Sequence, residues 1–261
     1  MSQLIEYFSG DTVELKFDAR KHTYLVDGRY VPSVTQVLDV INKPALMPWA
    51  AKEGAKFYMD NIEEGLEDQA MADGIRTAFR KKSSSARDIG VIVHKWCEDA
   101  INWKLGNGAA PSLPENEQAQ SAIGGFRSWL QENDVEWLSA EEKVYHNKFN
   151  YAGTVDAVAN INGEFCVVDF KTSSGIWDEY FLQAAAYADA ISLVYGEQVE
   201  SAWILRFDKK SGKFESERSN DIGADFQAFL GAMELHGRLR GLREDRKQAK
   251  KEARNGANEK G

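Results

Sequence analysis

Two aspartates and a lysine, Asp156, Asp169 and Lys171, stand on either side of one short turn signal. Asn162-Gly163 between two runs rich in β-branched residues predicts a two-residue hairpin. Ile161 then faces Glu164, Val158 faces Val167 and, five steps from the turn, Asp156 faces Asp169. On that register the aspartates form a non-hydrogen-bonded pair with Cα atoms about 4.5 Å apart. Like charges placed so oppose sheet formation. Their neighbours Val155, Ala157, Val158, Val167, Val168 and Phe170 predict burial, where an unpaired carboxylate is costly. A hard divalent cation held by oxygen ligands would offset that cost. Lys171, two residues beyond Asp169, projects from the same strand face. Two carboxylates and an ammonium at one point suit metal-assisted hydrolysis of a phosphodiester: the ion polarises a phosphoryl oxygen and activates water, and the lysine orients that water or stabilises developing charge. The opposing reading is a structural ion cluster in which Lys171 neutralises both aspartates.

The elements that must position these groups follow from periodicity. Val13 to Phe17 alternates as a strand, and Thr23 to Val26 meets Tyr30 and Val31 across Asp27-Gly28, a second hairpin signal. Ser33 and Gln36 have the spacing of a capping box and predict a helix start. Pro44 and Pro48 precede a helical stretch from about Trp49. The polar, serine-rich run Lys81 to Ser85 predicts a mobile loop, and a helix from Ala86 to Leu105 follows, with Gly106 as its stop. Glu115 to Glu132 repeats Ile123, Phe126, Trp129 and Leu130 at helical spacing. Strands are expected from Val135 through Phe149, over Gly153 to Ile161 and over Glu164 to Lys171. Asp178 to Tyr195 reads as a helix stopped by Gly196. Glu200 to Phe207 and Lys213 to Arg218 read as a hairpin around Lys210-Ser211-Gly212, and a last helix from Ile222 runs into a charged tail.

The ordered runs Gly153-Thr154-Val155-Asp156, Val167-Val168-Asp169-Phe170-Lys171-Thr172 and Gln183-Ala184-Ala185-Ala186-Tyr187 resemble the PD-(D/E)xK nuclease superfamily, in its RecB-type exonuclease branch. Asp156 matches the first acidic position and Asp169-Phe170-Lys171 the D-x-K element. Gln183 and Tyr187, one helical turn apart, match the pair on the helix that follows. His94, within Gly90-Val91-Ile92-Val93-His94, matches the upstream histidine that completes the metal site. The stretch His22 to Trp49 is similar to phage-encoded and mitochondrial-maintenance members. The resemblance covers roughly residues 20 to 195. It implies one or two Mg²⁺ or Mn²⁺ ions held by Asp156, Asp169, the Phe170 carbonyl and His94, with Lys171, Gln183 and Tyr187 serving catalysis on DNA. It also implies exonuclease action in phage or bacterial recombination, repair or DNA degradation. Several members hold an iron–sulfur cluster on four cysteines. Here Cys97 and Cys166 are the only two, so no such cluster is expected.

Weaker candidates surround this set. Glu98 lies one turn beyond His94 on the same face, and Glu142 opens the strand before the hairpin, with Glu141 equally placed. Thr172 and Ser173 suit phosphate but equally a strand-end turn. His22 and His146 lack visible partners and read as non-catalytic. The basic tail could track a DNA backbone, though Glu244, Asp245 and Glu252 favour a solvated helix.

Composition sets the bounds. The chain has 261 residues, 43% of them hydrophobic and 28% charged, as in an ordinary globular protein. A net charge of −9 counts mildly against nucleic acid as a partner, although a bound dication offsets acidic groups locally. No leader and no membrane span is read, and two distant cysteines suit a reducing cytoplasm. The expected fold is α/β and restriction-endonuclease-like, a mixed central sheet flanked by helices with an N-terminal helical lobe. Residues 1–85 would form the lobe, 86–235 the nuclease core and 236–261 a charged tail. DNA ends are the expected partner, with an oligomer or a recombination protein as further partners. A non-catalytic DNA-binding or assembly module and a site-specific endonuclease are the alternatives.

Overall fold

The computed structural model describes residues 2–21, 23–44, 46–208 and 211–258, the side chains of residues 81–88, 254 and 256–258 excepted. His22 and Lys210 fall outside the described residues. An antiparallel meander opens the chain: β1 (Ser2–Glu6), β2 (Thr12–Asp18), β3 (Thr23–Val26) and β4 (Arg29–Val31). Its β3–β4 turn is the expected Asp27-Gly28, with φ of 48° and 78°. The capping box at Ser33 and Gln36 forms as the spacing predicts and starts α1 (Val34–Leu38). The strand β1 had no signal in the sequence reading, because its single buried residue, Ile5, gives no alternation to detect.

Two helices then form a hairpin, α2 (Leu46–Asn61) and α3 (Asp68–Lys104), joined through a 3₁₀ turn at Ile62–Glu64. Gly74 lies beneath the Phe57 ring and Gly54 beside Ile75, so the two backbones approach closely. The loop expected at residues 81–85 is helical, and α3 runs unbroken for 37 residues. Serine is only a weak helix breaker, and the basic and apolar residues on both sides carry the helix through. The proposed boundary near residue 85 falls inside this helix.

The central sheet has five strands in the order β5 (Val135–His146), β6 (Tyr151–Ile161), β7 (Glu164–Lys171), β8 (Ser201–Phe207) and β9 (Phe214–Arg218). All neighbours are antiparallel except β7 and β8, which pair in parallel across the crossover helix α5 (Asp178–Tyr195). One face packs on α1, α5 and α6 (Ile222–Asn258), through Val155, Val158, Val167, Ile204 and Phe229. The other packs on α3 and α4 (Glu117–Glu132), through Ala157, Ala159, Val168, Phe170 and Phe126. The architecture is therefore the expected mixed α/β sheet flanked by helices. Among the described residues, no helix is long and apolar enough to cross a membrane.

The β6–β7 hairpin has the predicted register. Ile161 pairs with Glu164 and Val158 with Val167, and Asn162 and Gly163 take φ of 56° and 87°. A Cβ on Gly163 would have nothing within 4 Å, so only its backbone conformation is at stake. Gly163→Ala should lower stability by about 1 kcal/mol, the cost of a left-handed conformation for a side chain with a Cβ. An unchanged urea midpoint would contradict this account of the turn.

Candidate active site

The β6–β7 ladder stops one pair short of the two aspartates. Ala157 pairs with Val168, and beyond it the backbone pairing ends while β7 stays paired to β8 as far as Lys171. The cause lies in β6. Val155 belongs to the core against α5 and Ala157 to the core against α4, although residues two apart share a face in a regular strand. The strand therefore changes face at Asp156. On the neighbouring strand Glu141 has a positive φ of 52°, and the β5–β6 register passes from Ala140–Ala157 to Glu142–Val155. At this fork the Asp156 carboxylate takes the place of a ladder carbonyl: Phe170 donates its N–H to Asp156 Oδ2 at 2.7 Å.

Asp169 is buried at 2% exposure on β7. Lys171 Nζ stands 2.5 Å from Asp169 Oδ2. Lys171 also donates to Gln183 Oε1 at 3.1 Å, and Gln183 Nε2 donates to Tyr187 OH at 3.2 Å. The Tyr180 ring lies 5.0 Å from the ammonium. The sequence of α5 makes this approach possible. Ala184, Ala185, Ala186, Ala188 and Ala190 are all buried and let the helix lie close to the sheet. Gly153 completes it, since a Cβ there would stand 2.4 Å from the Tyr187 ring.

His94 arrives from the opposite side on α3. One turn earlier, a Cβ on Gly90 would lie 2.4 Å from Thr172 Oγ1, so the helix runs in close contact with the end of β7. The His94 ring meets Phe170 edge-on, 6.0 Å between centroids. Burial and then the Lys171 charge lower its pKa to about 4, against opposing effects of Asp169 and of a hydrogen bond with the Phe170 backbone. The imidazole is therefore neutral near pH 7, with a lone pair to offer.

Burial also pushes Asp169 up to about 6, with Lys171 opposing and Asp156 adding to the rise. Asp156 is raised by burial, against Lys171 and the Phe170 N–H. For Lys171, burial favours the neutral amine, but Asp169 and Asp156 outweigh it, so the pKa is raised and the ammonium persists. Glu141 is pushed up to about 7 by burial and then by Asp156 and Glu98.

The structure thus brings Asp156, Asp169, Phe170, Lys171, His94, Gln183 and Tyr187 together. It sends Glu142 elsewhere. That carboxylate bonds Ser139 Oγ and Tyr195 OH, at 2.9 Å for the latter, because Glu142 shares the α5 face with Val144. Glu141 is the acid beside Asp156, and Glu98, ion-paired with Lys95 at 3.2 Å, stands near Glu141 on α3. The signal for choosing between the two glutamates was the apolar Val144, two positions after Glu142. Sequence reasoning missed Arg206, which is buried beside Lys171 on β8. Its guanidinium donates to the Ser173 carbonyl at 2.7 Å and pairs with Asp208 and Glu215, fixing the turn after β7. His146 does have a partner: Nε2 lies 2.6 Å from Asp189 Oδ2, and Nδ1 accepts the Phe149 N–H.

Two acidic oxygens, a backbone carbonyl and a neutral imidazole form a donor set that fits a hard or borderline divalent ion. The gathering of those donors at one strand end is the observation that favours one. Among the described residues no three His, Cys, Asp or Glu side chains stand close enough to enclose an ion as they are. Lys171 is the cation on Asp169 in this arrangement.

No protein-family model matches the chain, and no curated protein matches it. Among solved structures it is similar to LHK-Exo in complex with dAMP, at 16% identity over 60% of this chain and 85% of that one, with a TM-score of 0.29. The alkaline exonuclease LHK-Exo from Laribacter hongkongensis matches at 15% identity over 60% and 84%, with a TM-score of 0.28. SSO0001 matches at 17% identity with a TM-score of 0.24, over 44% of this chain, which spans only 56% of that structure's length.

Asp169 and Glu141 hold protons in the folded chain at pH values where the unfolded chain has released them. Their contribution to stability is complete below the unfolded carboxyl range and is lost as pH rises through about 6 and about 7. The melting temperature should therefore rise on going from about pH 8 to about pH 5. Glu141→Gln should make that rise smaller, and an identical pH profile in the variant would remove Glu141 from the cluster.

Proposed function

We propose that this chain is a metal-dependent deoxyribonuclease that hydrolyses phosphodiester bonds, acting from DNA ends. The observation that carries the reading is the meeting of a buried and a half-buried carboxylate with one ammonium at the fork where β6 leaves β7. A purely structural ion cluster adds little to stability, and this one carries raised carboxyl pKa values.

Asp156, Asp169, the Phe170 carbonyl and His94 would hold Mg²⁺ or Mn²⁺. When bound, the ion would supply the charge that polarises the scissile phosphoryl group and acidifies water. Lys171 remains protonated and places its charge where negative charge develops in the transition state. Gln183 fixes the position of Nζ, and Tyr187 fixes Gln183. Arg206 holds the Thr172–Ser173 turn against the same strand end. The preference for ends and a role in phage or bacterial recombination, repair or degradation come from the resemblance to the RecB-type branch. The division into an N-terminal lobe (1–85), a core (86–235) and a tail (236–261) comes instead from the organisation of the sequence, its first boundary set before the stretch that carries His94.

End-labelled linear single- and double-stranded DNA, with a closed circle as control, tests the reading in Mg²⁺, Mn²⁺ or EDTA. Linear DNA should be degraded only with metal and the circle spared. Lys171→Ala should lower the rate by about 10²-fold or more, the loss expected for a group that stabilises transition-state charge. Cutting of the circle would make the enzyme an endonuclease. No cutting of any substrate would end the catalytic reading and leave a binding module. Separately, Asp156→Ala should abolish Mn²⁺ binding in calorimetry; unchanged affinity would take the metal away from this site.

A further inference from the structure

The helix α6 has two halves of different character. Its first half is held down: Phe226 and Phe229 are buried, Leu230 and Met233 pack beside them, and Arg240 lies 4.5 Å above the Tyr30 ring. After Leu242 every residue to Ala253 is exposed. Residues 238–254 hold eight Lys or Arg against three Asp or Glu, so the rest of a chain of net −9 carries −14.

These cations are not scattered. At 100° per residue, Arg243, Arg246, Lys247, Lys250 and Lys251 fall within an arc of about 140°, while Asp245 and Glu252 lie on the opposite side. Arg240 is paired with Glu244 at 2.9 Å, but among the described residues none of the five has a carboxylate partner. They also crowd one another. The steps 243–246, 243–247, 246–250, 247–250 and 247–251 are all three or four residues long, the spacing at which like charges on a helix repel. No burial offsets that repulsion, so the missing term is a counter-charge from outside.

We infer that the exposed half of α6 is a second nucleic-acid site, whose basic face follows the phosphates of a strand without reading sequence. The cation rows recur every four residues, about 6 Å along the axis, near two phosphate steps of a duplex strand at about 3.4 Å each. A protein partner would need an apolar anchor at the centre of its contact, and this face has none. An anionic bilayer would need an apolar face to insert, and Leu242 is the single large apolar residue beyond the anchored half. The site is independent of the chemistry proposed above, because binding needs neither metal nor cleavage.

Fluorescence anisotropy of labelled single-stranded and duplex DNA in EDTA, over a potassium chloride series, tests it. The full chain is compared with a variant carrying Arg243→Gln, Arg246→Gln, Lys247→Gln, Lys250→Gln and Lys251→Gln. A second variant, Lys247→Arg, Lys250→Arg and Lys251→Arg, keeps the charge. The glutamine variant should lose at least about tenfold in affinity at low salt. Its plot of log affinity against log salt should flatten by up to about 3.5 on a single strand, five contacts at about 0.7 each. The arginine variant should bind as the wild type does. Unchanged affinity and slope in the glutamine variant, or no DNA binding by the wild type, would overturn the site. So would an effect of the glutamine changes confined to self-association or to binding of anionic vesicles. DNA binding without cleavage by the wild type would remove the nuclease reading and leave this site standing.

Discussion

The central sheet is organised around one electrostatic constraint: a buried carboxylate, Asp169, and a half-buried one, Asp156, meet beside an apolar core with a single ammonium, Lys171, on Asp169. A regular hairpin would place Asp156 and Asp169 face to face, where like charges repel and neither has water to relieve it. The chain meets this by leaving regular geometry at one residue. β6 changes face at Asp156, the ladder ends, and the carboxylate takes over the N–H that a carbonyl would have accepted. The fork and the charge problem are therefore the same feature. β7 cannot move in response, because it stays fully paired to β8 through Lys171.

Small residues then decide how closely other elements approach the fork. Gly90 lets α3 run against Thr172 and brings His94 in from one side. The buried alanines of α5 and the missing side chain at Gly153 bring Gln183 and Tyr187 in from the other. At these glycines a methyl group would enter close-packed space, and overpacking costs as much as a cavity does. The site is consequently positioned by what the sequence omits as much as by what it supplies.

This explains what was legible in advance. Local rules carried the hairpin register, the Ser33 capping box and the convergence of Asp156, Asp169 and Lys171, because each depends on residues near in sequence. The strand β1 and the continuity of α3 through residues 81–85 were not legible. One has a single buried residue and so no alternation to read, the other depends on helix formers on both sides of a polar run. The choice between Glu141 and Glu142 stayed open for a third reason. Alternation puts them on opposite faces, but which face holds the site is set by the switch at Asp156 and the positive φ at Glu141. Arg206 and the His146–Asp189 pair join elements far apart in sequence, and no local spacing announces them.

Net charge is a sum over two regions of opposite sign. A body of −14 concentrates divalent cations near its carboxylates and, by the same field, repels a polyanion. One uniform charge cannot serve both ends, but segregation can. At physiological ionic strength fields decay over about 8 Å. Residues 243–251, which hold the five cations, carry the helix about 13 Å beyond Leu242, so the far end of the basic face lies beyond that decay length. Distance along a rigid helix lets one chain hold two electrostatic environments that would cancel if they were mixed.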